Sequence, residues 1–132
     1  MPVAGGQVAR EFGAAGEGGP ARGLTLQAPA GARVVSPCGG RVAFAAPFRS
    51  YGRLLIVDCG EGYHFVLGGL DRLDVSPGQK LLAGEPVGVL GGGSSSSPGA
   101  GTVDGPGRAT LYVELRRRGD PVDPRPWFAA RG

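Results

Sequence analysis

From residue 110 the chain alternates strictly: Thr110, Leu111, Tyr112, Val113, Glu114, Leu115, Arg116. Period two is the signature of a strand, so Leu111, Val113 and Leu115 face one way and Thr110, Tyr112, Glu114 and Arg116 the other. The three aliphatics belong to a core. The second face is a polar and aromatic wall that a ligand can contact. Earlier apolar segments predict strands over residues 41–46, 54–57 and 63–67. The run Leu54, Leu55, Ile56, Val57 is continuously apolar, as in a central strand buried on both faces. A turn over 48–52 and glycines on either side of 63–67 join the three into an antiparallel meander. A weak internal echo surrounds them. Gly31-Ala32-Arg33-Val34 leads to Gly40-Arg41-Val42, and Gly78-Gln79-Lys80-Leu81 leads to Gly84 and Val87-Gly88-Val89. Repeated short hairpins of this kind predict a barrel or sandwich made from two similar halves. Residues 91–107 are rich in Gly, Ser and Pro without periodicity, which predicts a mobile loop. Residues 120–127 predict an extended, proline-stiffened end, with Trp127 and Phe128 docking back onto the sheet.

Composition agrees with this picture. The 132 residues suit one domain spanning 1–132, and 27 glycines with 12 prolines leave almost no window for a long helix. Such glycine and proline content often marks low complexity. Here 41% of residues are hydrophobic and 19% charged, the reverse of a disordered composition. The prediction is an all-β domain of many short strands. The net charge of +3 is spread mainly over arginines, with a small cluster at Arg116, Arg117 and Arg118. No interleaved aromatics accompany it, so no nucleic-acid partner is expected. No apolar run approaches the length of a membrane span, and residues 2–23 contain no signal-like apolar stretch.

Little chemistry is legible. His64 is the only histidine and lies within a strand, with no orienting carboxylate identifiable for acid–base work. Cys38, Cys59 and His64 match no common zinc spacing. The serines at 94–97 lack a nucleophile-elbow context, and Gly91-Gly92-Gly93 is not followed by the Gly-Lys-Ser/Thr of a phosphate loop. Cys38 and Cys59 fall at the start of one meander strand and the end of its partner. That puts them within disulfide reach, which would imply an oxidising compartment; two unpaired small hydrophobes are the alternative.

Several segments together carry a resemblance. Phe12-Gly13, Gly23-Leu24-Thr25-Leu26-Gln27-Ala28-Pro29-Ala30-Gly31, Gly40-Arg41-Val42, Tyr51-Gly52-Arg53-Leu54, Val75-Ser76-Pro77-Gly78-Gln79 and Leu111-Tyr112-Val113-Glu114-Leu115-Arg116 resemble the LytM-type (lysostaphin-like) peptidoglycan metallopeptidase domain. The resemblance implies that family's duplicated hybrid motif, antiparallel sheets with short hairpins and long loops. Active members hold zinc through a His-x-Gly-x-Asp motif and the second histidine of a His-x-His motif. The first motif falls on Ala21 and Thr25, the second on Thr110 and Tyr112, and a further family histidine falls on Gly69. Ala21, Thr25 and Tyr112 are thus vacated ligand positions, and the resemblance implies a degenerate domain with no catalytic residues, metal or cofactor.

A degenerate domain ending in Leu-Tyr-x-Glu-Leu-Arg-Arg and Pro-Trp is similar to the EnvC-type murein hydrolase activators. That likeness implies a periplasmic, non-catalytic activator of an N-acetylmuramoyl-L-alanine amidase in cell division, binding the amidase's regulatory helix in the vacated groove. Such proteins also carry an N-terminal signal and coiled coil, expected to be absent from this chain. By family position Arg22, Thr25, Tyr51, Leu54, Leu67, Tyr112 and Arg116 form the partner-binding groove, with Arg10 far from it. Leucines and tyrosines flanked by arginines suit an amphipathic helix with an acidic edge. Peptidoglycan binding without an amidase is the alternative, and a residual zinc endopeptidase a weaker one. A phosphocarrier would need a second histidine, and a lipoyl carrier a better-placed lysine than Lys80.

Overall fold

A computed structural model of the chain describes residues 2–3, 6–16, 19–48, 52–91 and 108–131. Among the described residues ten strands and one short helix follow in order: β1 (Gln7–Arg10), β2 (Leu24–Pro29), β3 (Arg33–Val35), β4 (Gly40–Pro47), β5 (Arg53–Gly60), β6 (Tyr63–Leu73), β7 (Lys80–Leu81), β8 (Pro86–Leu90), β9 (Arg108–Arg117), β10 (Asp120–Val122) and α1 (Arg125–Arg131). The main sheet runs β1-β2-β9-β6-β5-β4-β7, with every pairing antiparallel. All-β architecture and the β4–β5–β6 meander are as the hydrophobic pattern predicts. The predicted loop over 91–107 lies, beyond Gly91, outside the described residues.

The internal echo has a structural meaning. The short strand of each copy pairs with the long strand of the other: β3 with β8, and β7 with β4. Backbone bonds repeat in kind, the Val42 N–H reaching the Gln79 carbonyl and the Leu90 N–H the Ala32 carbonyl, both at 2.9 Å. β8 also continues onto the far end of β6, so β3 and β8 fold over one face of the main sheet.

That covered face is the core. Cross-strand register places Leu24, Val113, Leu67, Leu55 and Ala45 in one row, and Leu26 beside Leu111. Leu24, Leu26, Leu55, Leu67, Leu111, Val113 and Phe65 are all fully buried. Removing this much aliphatic and aromatic surface from water is the main stabilising force, each such side chain contributing about 1.5–3 kcal/mol. Leu67 therefore points into the core and not into a groove, because odd-numbered positions of β6 share the face of Phe65.

Two expectations need correction here. The run 54–57 is not core on both sides. Leu55 and Val57 are fully buried in the core, whereas Leu54 and Ile56 alternate onto the opposite face of the sheet. The chain end is not extended throughout either, since residues 125–131 form α1. Just ahead of this helix Asp123 accepts the Arg125 N–H at 3.0 Å, and the Pro124 carbonyl accepts from the Trp127 N–H at 3.1 Å and the Phe128 N–H at 3.4 Å. Trp127 and Phe128 do dock back. Trp127 packs edge-on against Tyr63 and Phe65, Phe128 stacks on Phe65, and the indole N–H donates to the Pro37 carbonyl at 3.0 Å. Next to Pro37, Cys38 is disulfide-bonded to Cys59, with Cα atoms 5.8 Å apart.

Candidate functional site

The face of the main sheet that no described strand covers carries a groove of about 490 Å³ lined by Phe48, Leu54, Ile56, His64, Val66, Tyr112, Glu114, Arg116 and Gly119. Strand register explains the set. One row across the sheet reads Thr25, Tyr112, Gly68, Leu54; the next reads Glu114, Val66, Ile56; a third reads Arg116, His64, Asp58. The floor is aliphatic where Leu54, Ile56 and Val66 meet. Phe48 forms one wall, edge-on to Phe44 with ring centroids 6.1 Å apart. The other wall is the alternating strand β9.

On β9 three side chains are locked together. The Tyr112 hydroxyl donates to Glu114 Oε1 at 2.7 Å, and the Arg116 Nε–H donates to Glu114 Oε2. Glu114 is 6% exposed, so a buried carboxylate holds both outer residues of the i, i+2, i+4 series in place. Tyr112 also needs space beside the start of β2, and Gly23, just ahead of that strand, provides it. A Cβ at Gly23 would come within 3.0 Å of the Tyr112 ring and hydroxyl and 2.3 Å of the Val113 carbonyl oxygen. At the polar end, His64 Nε2 lies 3.8 Å from Asp58 Oδ2, so the histidine does have a carboxylate neighbour, supplied by the adjacent strand.

Of the groove residues expected from sequence, Leu54, Tyr112 and Arg116 come together. Thr25 stands beside Tyr112 on β2, half-buried, just outside the lining. Arg22 is exposed ahead of β2 and does not line the groove. Leu67 is excluded by facing the core, and its neighbours His64 and Val66 face the groove in its place. Tyr51 lies outside the described residues. Arg10 is not remote: it pairs with Thr25 and so stands in the same row as Tyr112, two strands away. Ile56, Val66 and Phe48 are not singled out by the sequence; Glu114 is placed on the contactable wall of β9 but not among the groove residues, and His64 is weighed only for acid–base or zinc chemistry. For Glu114 the signal was present in Tyr-x-Glu-x-Arg, an acid between two groove residues on one strand face.

The positions that the resemblance gives to metal ligands have a distinct chemistry. Ala21 and Gly69 carry no donor, Thr25 offers a neutral hydroxyl, and the Tyr112 hydroxyl proton is committed to Glu114. Gly69 has φ +102°, and a Cβ there would stand 2.6 Å from the Thr110 carbonyl oxygen, so the backbone itself opposes a histidine at that position. A peptidase zinc needs three protein ligands of His, Asp, Glu or Cys type. Among the described residues no three such side chains are gathered to hold a metal ion. Ala21, Thr25, Gly69 and Tyr112, the described residues at those positions, do not fit zinc.

A duplicated, reciprocally paired strand motif folded over an antiparallel sheet, with an open groove on the other face, defines a LytM-type domain. The chain belongs to peptidase family M23, whose model matches residues 19–124. It is 32% identical over 107 residues to the murein hydrolase activator EnvC of Escherichia coli, covering 81% of this chain and 23% of that protein. It is 31% identical over 111 residues to a lipoprotein NlpD/LppB homolog of Pseudomonas aeruginosa, covering 83% of this chain and 34% of that protein. The chain thus spans a quarter to a third of the length of these relatives. A zinc-containing peptidase from Vibrio cholerae shares the fold, with a TM-score of 0.76 and 24% identity over 93% of this chain and 37% of that one. Among the described residues no helix is long and apolar enough to cross a membrane.

Proposed function

We propose that this chain acts without cleaving peptidoglycan, as an activator of a periplasmic N-acetylmuramoyl-L-alanine amidase in cell division, and that its groove takes the amidase's regulatory helix. One observation carries the proposal: next to the positions that the family resemblance gives to a metal centre, this chain has an aliphatic floor beside a tyrosine and an arginine held on a buried glutamate. An amphipathic helix laid along β9 would set its apolar side chains on Leu54, Ile56 and Val66. Its acidic edge would meet the outward N–H groups of Arg116. The name of the Escherichia coli relative supports the activator role. The Cys38–Cys59 disulfide supports an oxidising compartment such as the periplasm.

The absence of catalysis rests on Ala21, Thr25, Gly69 and Tyr112, because hydrolysis by this family's chemistry needs a metal-bound water and a base. Elemental analysis of the purified chain is expected to find no stoichiometric zinc, and the chain alone is expected to release nothing from purified sacculi. About one zinc per chain, removable by a chelator with loss of peptidoglycan cleavage, would overturn the proposal in favour of an endopeptidase.

A further inference from the structure

We infer that Glu114 is a positioning residue of the partner groove: it touches no partner itself but fixes the Tyr112 hydroxyl and the Arg116 guanidinium in their binding geometry before the partner arrives. The inference rests on the amidase-binding role proposed above. It starts from an unusual placement. A carboxylate is rarely buried unless paired, and Glu114, at 6% exposure, is among the few buried polar side chains described. Its two oxygens are divided, Oε1 to Tyr112 and Oε2 to Arg116. Both partners sit on the same strand face, one on either side of it, and neither hydrogen bond reaches across to another element. The contacts join neighbours that β9 already aligns, so they contribute little to holding strands together. What they do set is where two long side chains point.

That direction matters for recognition. A free arginine samples many rotamers, and Arg116 is 42% exposed, so nothing but Glu114 is seen to restrain its charged head among the described contacts. Restraint before binding removes the entropy that would otherwise be lost on binding, which for two ordered side chains is worth about tenfold in affinity. Glu114 also takes up the Nε–H of Arg116 and leaves its terminal amino groups for a carboxylate on the partner, a division that the fork geometry of guanidinium allows.

The test is calorimetric titration of the amidase with the parent chain and variants. Glu114→Gln keeps the volume and one acceptor oxygen but loses the charge. It is expected to raise Kd about tenfold with the thermal midpoint close to that of the parent. Glu114→Leu, which removes both acceptors, is expected to weaken binding further. In a Tyr112→Phe/Arg116→Ala background, Glu114→Gln is expected to change Kd less than about twofold, since the groups it orients are gone. The NMR signal of the Arg116 Nε–H is expected to exchange faster with water in Glu114→Gln than in the parent. A parent that binds while Glu114→Gln leaves Kd unchanged overturns the role of Glu114 alone. The same holds if Glu114→Gln keeps its full effect in the double background, because its effect would then be structural. A parent that does not bind the amidase overturns the activator proposal and this inference with it.

Discussion

Replacing Tyr112 and Arg116 together by alanine is expected to abolish amidase binding at micromolar concentrations while leaving the chain folded. Tyr112 is the aromatic anchor of the groove wall, and truncating such an anchor costs about 2 kcal/mol or more, roughly thirtyfold in Kd. Arg116 stands on the rim in the free chain, so its own share is smaller, about 1 kcal/mol unless the partner's carboxylate desolvates it. The two losses together exceed a hundredfold. Folding survives because β9 is held by Leu111, Val113 and Leu115, which face the core and are untouched. Arg10 is unsuitable as a control, since it shares a row with Tyr112. Arg33 is exposed on β3, on the covered side of the main sheet, and Arg33→Ala is expected to leave Kd unchanged. A double variant that binds as tightly as the parent would remove the groove from the account.

The second large effect falls on stability. Removing the disulfide by Cys38→Ala with Cys59→Ala is expected to lower the unfolding free energy by about 3 kcal/mol, the chain-entropy value for a loop of this length. The bond closes residues 38 to 59, a separation of 21, and so encloses β4, the turn and β5 as far as Cys59. It also secures the segment to which Trp127 is bonded through the Pro37 carbonyl, and thereby the docking of α1 on Phe65. Chemical denaturation of the parent and the double variant under non-reducing conditions measures the difference. Equal midpoints would mean that packing alone closes this hairpin. Below the unfolding transition the groove is expected to keep its affinity, since the lost bond is at the end of β5 opposite Leu54.

Much of the fold was legible because alternation survives intact in β9, where Leu111, Val113 and Leu115 sort cleanly from Tyr112, Glu114 and Arg116. The echo around Gly31 and Gly78 was legible as well, although its reciprocal pairing was not: which short strand meets which long one is a long-range choice that local pattern does not encode. The groove floor was hidden for a definite reason. A strand that is core on one side and groove on the other reads as continuously apolar, so Leu54 and Ile56 looked like a second buried face. Leu67 was misplaced because family position marks a segment more reliably than a side-chain direction. A shift of one residue along β6 turns a core leucine into a groove valine. His64 gained its carboxylate only through the β5–β6 register, which sets Asp58 opposite it. Helix α1 was missed because three prolines, Pro121, Pro124 and Pro126, suggested extended chain, when Asp123 followed by Pro124 is a helix start.

The most direct measurement is the release of soluble fragments from purified sacculi by a periplasmic N-acetylmuramoyl-L-alanine amidase, by this chain, and by the two together. The account predicts little release by either alone and a large stimulation when they are combined, lost with Tyr112→Ala/Arg116→Ala. Sedimentation of the chain with sacculi without any stimulation of the amidase would contradict it and leave a peptidoglycan-binding domain, and release by the chain alone would restore the peptidase.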